Sequence, residues 1–267
     1  MRVWCGHTLS IQRGASLSHD WIVVVVVALP FGCGLLGLLM QRWPPEAHMS
    51  SDTQDLINRV TTLLATMTAL VLGLLIASAN NFYNTQKGGL EVMASRLLQL
   101  DGVLRRYGPE AKPVRDRLRE VAIRTYEEDW GRGSETPPTV AEAGAAIDAL
   151  FASLDTLEPT TAEQKYRLSR AADIASSMAD QRLLTTQQIT NSISWPFLTI
   201  LVSWTSLLFF GFGITVRRNA TAIATMGVGA FAVASAVFLI IELSHPYSGL
   251  LRMPPTPLVQ AIDALGK

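Results

Sequence analysis

The stretch that decides the fold covers residues 60–79 and reads VTTLLATMTALVLGLLIASA, with no Asp, Glu, Lys or Arg. A helix of about 20 residues spans about 30 Å, which is the thickness of the hydrocarbon core of a bilayer. Three more segments are equally apolar and free of formal charge, namely residues 22–40, 195–216 and 220–241. The chain is therefore predicted to cross a membrane four times.

Charge is distributed unevenly over the 267 residues. Charged residues make up 16% of the chain and apolar residues 49%, whereas soluble domains have about 25% charged residues. Between the second and third apolar segments charges of both signs are dense, and apolar residues recur every three or four positions. The predicted fold is all-α: an integral membrane protein with four transmembrane helices and a helical cytoplasmic domain between the second and third.

The predicted organisation has five parts. They are a disordered N-terminal tail (1–20), transmembrane helices 1 and 2 (21–82), the helical cytoplasmic domain (83–194), transmembrane helices 3 and 4 (195–243) and a Pro-rich C-terminal tail (244–267). The first apolar segment is interpreted as a retained helix, because it is longer than the h-region of a signal peptide and no small-residue cleavage site follows it.

Helix-breaking and helix-capping residues refine this pattern. In the first span Pro30 is tolerable, and Gly32, Gly34 and Gly37 leave a thin face for a neighbouring helix. In the middle domain Gly108-Pro109 ends one helix, and a flexible turn is expected at 131–138. Thr160 or Thr161 is expected to cap the last helix of the domain.

Basic residues near the ends of the spans predict the orientation. With four crossings, both termini and the middle domain share one side. The basic residues on that side are Arg2, Arg13, Lys87, Arg96, Arg182 and Arg252, and those on the other side are Arg42, Arg59, Arg217 and Arg218. The bias predicts that the middle domain and both termini are cytoplasmic and that the protein resides in the inner (plasma) membrane.

Signatures of catalysis are missing from the sequence. It has no CxxC, GxSxG, P-loop or dinucleotide fingerprint, and its four histidines lack metal-ligand spacing. The net charge of zero gives no sign of a nucleic-acid partner, and no disulfide is expected between Cys5 and Cys33. The acidic run Glu127-Glu128-Asp129 is interpreted as a solvated helix end. We therefore expect no enzyme, no cofactor and no bound metal.

Small and hydroxyl side chains form a stripe along the second span. They recur at steps of three and four residues, which places them on one helix face: Thr62, Thr66, Ala69, Gly73, Ala77 and Asn80. Such a stripe allows close helix packing, with the hydroxyls bonded to their own helix. It could equally line a narrow aqueous path, because hydroxyl and amide groups partly replace an ion's hydration shell. Packing is favoured by the sequence alone, and the aqueous path stays open.

The exit of the second span resembles a known family. Residues 72–84 read LGLLIASANNFYN, which is similar to the helix exit of bacterial bestrophins, where a hydrophobic run is followed by Asn and then Tyr-Asp before a long cytoplasmic helix. The order of spans and domain is similar too. Glu242 followed by Pro-Tyr-Ser-Gly at 246–249 resembles the end of the last span in the bacterial bestrophin-like family, which is distantly similar to bestrophin anion channels.

This resemblance implies a homo-oligomer in the lipid bilayer, pentameric in bestrophins, with the second spans around a central pore for small inorganic ions. Asn80 and Tyr83 match the bestrophin exit and are therefore candidate pore-lining residues together with the stripe. Asn84 stands where Asp is usual, and the acidic cluster of calcium-gated animal members has no clear counterpart.

Glu242 and His245 are further candidates, at the end of the fourth span. A carboxylate at this position is either an interfacial anchor or part of an ion or proton path. His245 could hydrogen-bond to it from the same helical face, whereas Pro246 favours a helix-terminating cap.

Two functions remain in competition. The polar stripe and the family resemblance favour an oligomeric ion channel whose second span lines the pore. The amphipathic helices of the middle domain favour a non-conducting membrane scaffold that binds a partner protein.

Overall fold

A computed structural model describes residues 12–40, 51–131, 140–190, 195–216, 218–247 and 250–265. Within these ranges the chain folds into helices and has no β-strand, which confirms the all-α prediction. The α-helices are α1 (Gln12–Met40), α2 (Ser51–Tyr107), α3 (Lys112–Trp130), α4 (Val140–Leu154), α5 (Ala162–Thr190), α6 (Trp195–Thr215), α7 (Ala220–Leu243) and α8 (Thr256–Ala264).

The described residues divide into two compact units. One contains those within Met1–Asn80 and Ile193–Ile241, and we call it the apolar unit. The other contains those within Asn81–Ser192 and Glu242–Lys267, and we call it the charged unit. The residues after the last span therefore belong to the same unit as the middle domain, whereas the sequence suggested a separate tail.

Among the residues that the structure describes, three helices are long and apolar enough to cross a membrane. The candidate spans lie in Asp52–Tyr107, Pro196–Thr215 and Ala220–Leu243. A shorter apolar helix, Val24–Met40, occupies the position of the first predicted span. The second, third and fourth predicted spans thus coincide with helices of sufficient length, and the crossing by α1 stays a prediction.

Glycines hold the apolar unit together where α1 meets α6. A Cβ added to Gly213 would lie 2.9 Å from the Cα of Gly37, and one added to Gly37 would lie 3.0 Å from the Cα of Gly213. The two backbones therefore touch, because a hydrogen replaces a side chain at both positions. The predicted thin face of α1 exists at Gly34 and Gly37, whereas Gly32 has no heavy atom within 4 Å of an added Cβ.

Side-chain clusters show in which direction each helix of the apolar unit runs. Near one end, Val26 of α1 packs with Leu198 of α6 and Ile241 of α7. Further along, Leu38 of α1 packs with Phe209 of α6 and Met226 of α7. Residue numbers rise together in α1 and α6 and fall in α7, so α1 and α6 are parallel and α7 is antiparallel to both.

The charged unit has a core of its own. Helices α2, α3, α4 and α5 bury an apolar face against one another, and the C-terminal segment completes the core with Met253 and Leu258. Leu100 and Leu118 are fully enclosed. Because charged residues cover the outside of these amphipathic helices, burial of the apolar stripes is the dominant stabilising term.

Local signals end and begin the helices of this unit as the sequence predicts. Gly108 follows α2 with φ of 138°, a backbone conformation that favours glycine, and a 3₁₀ turn at Pro109–Ala111 leads into α3. Before α5 the Thr161 hydroxyl accepts the backbone N–H of Gln164 at 3.1 Å, and the Gln164 side chain accepts the backbone N–H of Thr161 at 3.3 Å. This is a reciprocal capping box.

Some helix limits differ from the predicted ones. Helix α1 begins at Gln12, inside the stretch predicted to be disordered. The flexible turn predicted at 131–138 and the tail before residue 12 lie largely or wholly outside the described residues. Helix α2 is continuous from the second span into the middle domain, because no Gly-Pro break occurs before Gly108.

Candidate functional site

The predicted stripe of α2 lies on a face that the rest of the chain leaves uncovered. All six residues of the stripe are exposed, namely Thr62, Thr66, Ala69, Gly73, Ala77 and Asn80. Open space surrounds Gly73, since an added Cβ would have no heavy atom within 4 Å. The spacing thus predicts correctly that these residues share a face of the helix.

The hydroxyl groups of the stripe are bonded within α2. Thr62 Oγ1 donates to the carbonyl oxygen of Asn58 at 2.8 Å, and Thr66 Oγ1 donates to that of Thr62 at 3.0 Å. A threonine that donates to its own helix keeps acceptor lone pairs on the hydroxyl oxygen. The stripe therefore presents polar oxygen atoms to its surroundings without any formal charge.

A second row of exposed residues accompanies the stripe. Leu63, Leu70 and Leu74 are 59%, 68% and 64% exposed. Their positions lie about a third of a turn round the helix from the stripe, by the helical period of about 3.6 residues. The free face of α2 thus has a small, weakly polar row next to a purely apolar row.

The opposite side of α2 packs against the apolar unit. Thr61 is buried, and its Oγ1 lies 2.8 Å from the position of a Cβ on Gly211 of α6. Val71 and Leu75 pack against the cluster around Leu201. In its most apolar window, 11% of the residues of α2 are buried, against 44% for α6 and 28% for α7. Helix α2 is therefore the least enclosed of the three candidate spans.

Tyr83 differs from the other candidates. It is half-buried and packs against the core of the charged unit. Asn80 and Asn84 are exposed on the helix. Asn80 therefore lies on the exposed stripe of α2, whereas Tyr83 lies against the core of the charged unit.

Glu242 lies at the end of α7, and its carboxylate accepts hydrogen bonds from the backbone. Its Oε2 accepts the N–H of Leu250 at 2.7 Å and the N–H of Leu251 at 3.1 Å. The backbone N–H of His245 donates to the carbonyl oxygen of Glu242 at 3.1 Å, which closes the last turn of the helix. These contacts fit the helix-terminating alternative, and the carboxylate also fixes the chain that follows.

The most enclosed charges of the charged unit were missed by the sequence analysis. Arg182 of α5 donates from Nη1 and Nη2 to the two carboxylate oxygens of Asp129 on α3, at 2.9 and 3.2 Å. The two side chains are only 14% and 4% exposed. Burial tends to lower the pKa of Arg182, but the hydrogen bonds and charge of Asp129 outweigh it and raise the pKa.

The interpretation of 127–129 as a solvated helix end is right for Glu127 and wrong for Asp129. Glu127 is exposed, whereas Asp129 is buried because its carboxylate faces Arg182 from another helix. No local signal reveals this pair, since its members are separated by 53 positions in the chain.

Aromatic residues surround this ion pair and attach the C-terminal segment. Trp130 Nε1 donates to the carbonyl oxygen of Met253 at 2.9 Å, and its ring meets that of Tyr247 edge to face, with centroids 5.3 Å apart. Burial, with the nearby charge of Asp129, raises the pKa of Tyr247 to about 12. Arg252 Nη2 donates to the carbonyl oxygen of Asp129 at 3.3 Å.

A cavity of about 80 Å³ lies within the charged unit next to the ion pair. Its walls are mostly aliphatic, with Leu90, Met93 and Met178 among them, and Gln181 and Arg182 contribute a polar edge. Within the described ranges no three His, Cys, Asp or Glu side chains come together as metal ligands. The cavity suits a small apolar group better than an ion.

These features define a class of protein: an all-helical membrane protein that combines several apolar spans with a charged helical unit. The family model of the Bestrophin-like domain matches residues 27–258, which include both units. The chain therefore belongs to the bestrophin-like family, as the exit of the second span suggested. No curated protein and no solved structure matches the chain.

Proposed function

We propose that this bestrophin-like protein crosses the inner membrane four times, assembles as a homo-oligomer and conducts small inorganic ions along a path lined by α2. In this proposal the charged unit and both termini are cytoplasmic, and the chain has no enzymatic activity. The uncovered stripe of α2 is the observation that carries the proposal.

The alternating directions of the apolar helices support four crossings. Helices α1 and α6 are parallel, and α7 runs against them. Helix α2 also runs against α6, because Thr61 meets Gly211 whereas Leu75 packs near Leu201. Four helices joined in this order and alternating in this way each traverse the bilayer once. Helix α1 is 29 residues long, and the part of it at 21–40 contains no charged side chain. This part is as long as the roughly 20 residues that a membrane-spanning helix needs.

The two exposed rows of α2 support an oligomer. The apolar row of Leu63, Leu70 and Leu74 fits lipid or a neighbouring copy, as purely apolar surfaces do. The adjacent stripe offers hydroxyl and amide oxygens that suit a water-filled axis. A ring of copies gives each row the environment that matches its chemistry. The family resemblance suggests five copies.

Ion flux into liposomes tests the proposal. We expect the purified wild-type protein to conduct, and Thr66→Phe and Asn80→Leu to lower the flux several-fold, because a bulky apolar group narrows and dehydrates the path. Leu70→Phe is the matched control, since Leu70 is 68% exposed on the neighbouring row, and it should conduct like the wild type. A wild-type protein without flux, or stripe variants with unchanged flux, would contradict the proposal.

The cavity of the charged unit supports the alternative, a non-conducting scaffold that binds a partner protein. Exposed apolar residues on α5, Leu183 and Leu184, lie a few residues beyond Met178 of its wall. The bait for a pulldown should be the full chain, because Trp130 bonds to Met253 and a fragment ending at residue 194 would lose that contact. A specific partner together with the absence of ion flux would favour the scaffold.

A further inference from the structure

Two leucines project from the chain just after α7. Leu250 is 83% exposed and Leu251 is 41% exposed, although the next apolar residue, Met253, is buried in the core of the charged unit. Leu250 is the most exposed large apolar residue in the part of the chain that the structure describes. Such exposure is unfavourable in water, because the apolar surface of a leucine side chain is stabilised by burial.

Hydrogen bonds fix the backbone that carries the two exposed leucines. The carboxylate of Glu242 accepts the N–H groups of Leu250 and Leu251 at 2.7 and 3.1 Å. The N–H of Met253 donates to the carbonyl oxygen of Pro246 at 2.8 Å. Trp130 fixes the carbonyl oxygen of Met253. The two leucines are therefore presented by a fixed backbone, and their exposure does not arise from a loose tail.

The attachment to Glu242 sets the depth of the loop relative to the bilayer. Residues 220–241 of α7 are free of charge, and 22 residues of helix span about 33 Å, close to the ~30 Å of the hydrocarbon core. Glu242 thus marks the end of the apolar layer. Headgroups add roughly 5–8 Å on each side, so a backbone bonded to this carboxylate lies within the interfacial layer.

We propose that Leu250 and Leu251 insert into the bilayer interface as a second lipid contact beside α7. The inference rests on the proposed membrane crossing of α7. The lipid surface is favoured over a second copy of the chain because the backbone of both leucines is bonded to Glu242, at the end of a proposed membrane span. Insertion of this kind reaches the boundary between headgroups and acyl chains.

Site-directed spin labelling tests the contact. Leu250→Cys is labelled with a nitroxide in a Cys5→Ser, Cys33→Ala background and reconstituted into phosphatidylcholine–phosphatidylglycerol vesicles. Collisions with oxygen report lipid, and collisions with a water-soluble nickel chelate report water. Phe231→Cys, at a position 70% exposed in the middle of α7, is the lipid control. Asp155→Cys, at an exposed position between α4 and α5, is the water control.

We expect the ratio of oxygen to nickel collisions at 250 to lie well above that at 155 and below that at 231, because the interface is shallower than the middle of α7. Nickel access at 250 equal to that at 155, with oxygen dominant at 231, would overturn the lipid contact alone. Spin–spin broadening between copies, with low access for both reagents, would assign the leucines to a second copy and also overturn it. Nickel access at 231 would overturn the crossing of α7 and the lipid contact together. Leu251→Cys repeats the measurement if the Leu250 variant does not elute like the wild type.

Discussion

The apolar and charged units reach stability by opposite means. In the apolar unit α1 and α6 approach until Gly37 and Gly213 touch backbone to backbone. In the charged unit leucines fill the core, and two buried or part-buried ion pairs, Asp101–Arg115 and Asp129–Arg182, join separate helices. Lipid removes most of the hydrophobic driving force between helices, so close packing must replace it, whereas water favours an apolar core.

The comparison also shows which unit is complete within one chain. In the charged unit five segments cover one another, including the C-terminal residues around Met253. In the apolar unit α2 leaves a long face uncovered, with leucines and the polar stripe side by side. A surface of this kind requires lipid, water or further copies to match it. The difference between the units is the physical reason for proposing an oligomer.

The largest expected effect comes from breaking the buried ion pair of the charged unit. Asp129→Asn should reduce the free energy of unfolding of this unit by about 3–5 kcal/mol, because the buried Arg182 would face an amide in place of a carboxylate. Glu120→Gln removes a partner of the exposed Arg117–Glu120 pair and should cost less than about 1 kcal/mol. Hydrogen exchange of α3 and α5, followed by mass spectrometry, measures both.

That measurement also tests the separation of the two units. Protection of α1 and α6 should stay unchanged in Asp129→Asn. If Asp129→Asn and Glu120→Gln lowered the free energy of unfolding by the same amount, burial of the Asp129–Arg182 pair would have no energetic consequence.

A smaller effect is expected from the glycine contact of the apolar unit. Gly213→Ala places a methyl group against Gly37 and Leu38 and should destabilise the unit by about 1–3 kcal/mol, as overpacking does. Gly227→Ala is the matched control, because its added Cβ lies 3.7 Å from Phe31, an ordinary contact. Thermal unfolding in detergent should show a lower midpoint for Gly213→Ala only. Equal midpoints would refute the close approach of α1 and α6.

The last effect is absent at neutral pH, depends on the ionisation of a buried phenol and concerns Tyr247. Its pKa is about 12 in the folded chain and 10.0 in an unperturbed tyrosine, so the unfolded state loses the phenolic proton first. The associated stability, about 3 kcal/mol, is present in full below pH 10 and is lost as the pH rises to about 12. The free energy of unfolding of Tyr247→Phe, measured by chemical unfolding, should decline less steeply than that of the wild type between pH 10 and about 12. Parallel curves for the two proteins would contradict the burial of the phenol.

Features that depend on neighbouring residues could be predicted from the sequence. Charge-free runs predict the positions of the apolar helices, with α6 and α7 ending within a residue or two of the predicted limits. Gly108 and the capping box at Thr161 mark helix ends, because turns and caps use local hydrogen bonds. The stripe of α2 follows from helical spacing alone.

Features that depend on distant residues could not be predicted. Asp129 looks like part of an acidic helix end, and its partner Arg182 lies on another helix. Trp130 meets Met253 across 123 positions, so a Pro-rich tail gave no sign of joining the core. The surroundings of Thr66 and Asn80 depend on what covers the exposed face of α2. The spacing of side chains does not tell whether this is lipid, water or another copy of the chain.

The oligomeric mass of the full-length protein in lipid nanodiscs, measured by native mass spectrometry, is the most direct test of the central claim that α2 turns its uncovered face towards other copies. A closed assembly of several copies, five by family resemblance, is the predicted result. A monomer that is stable in the same lipids would contradict the account, because the polar stripe of α2 would then have only lipid to face.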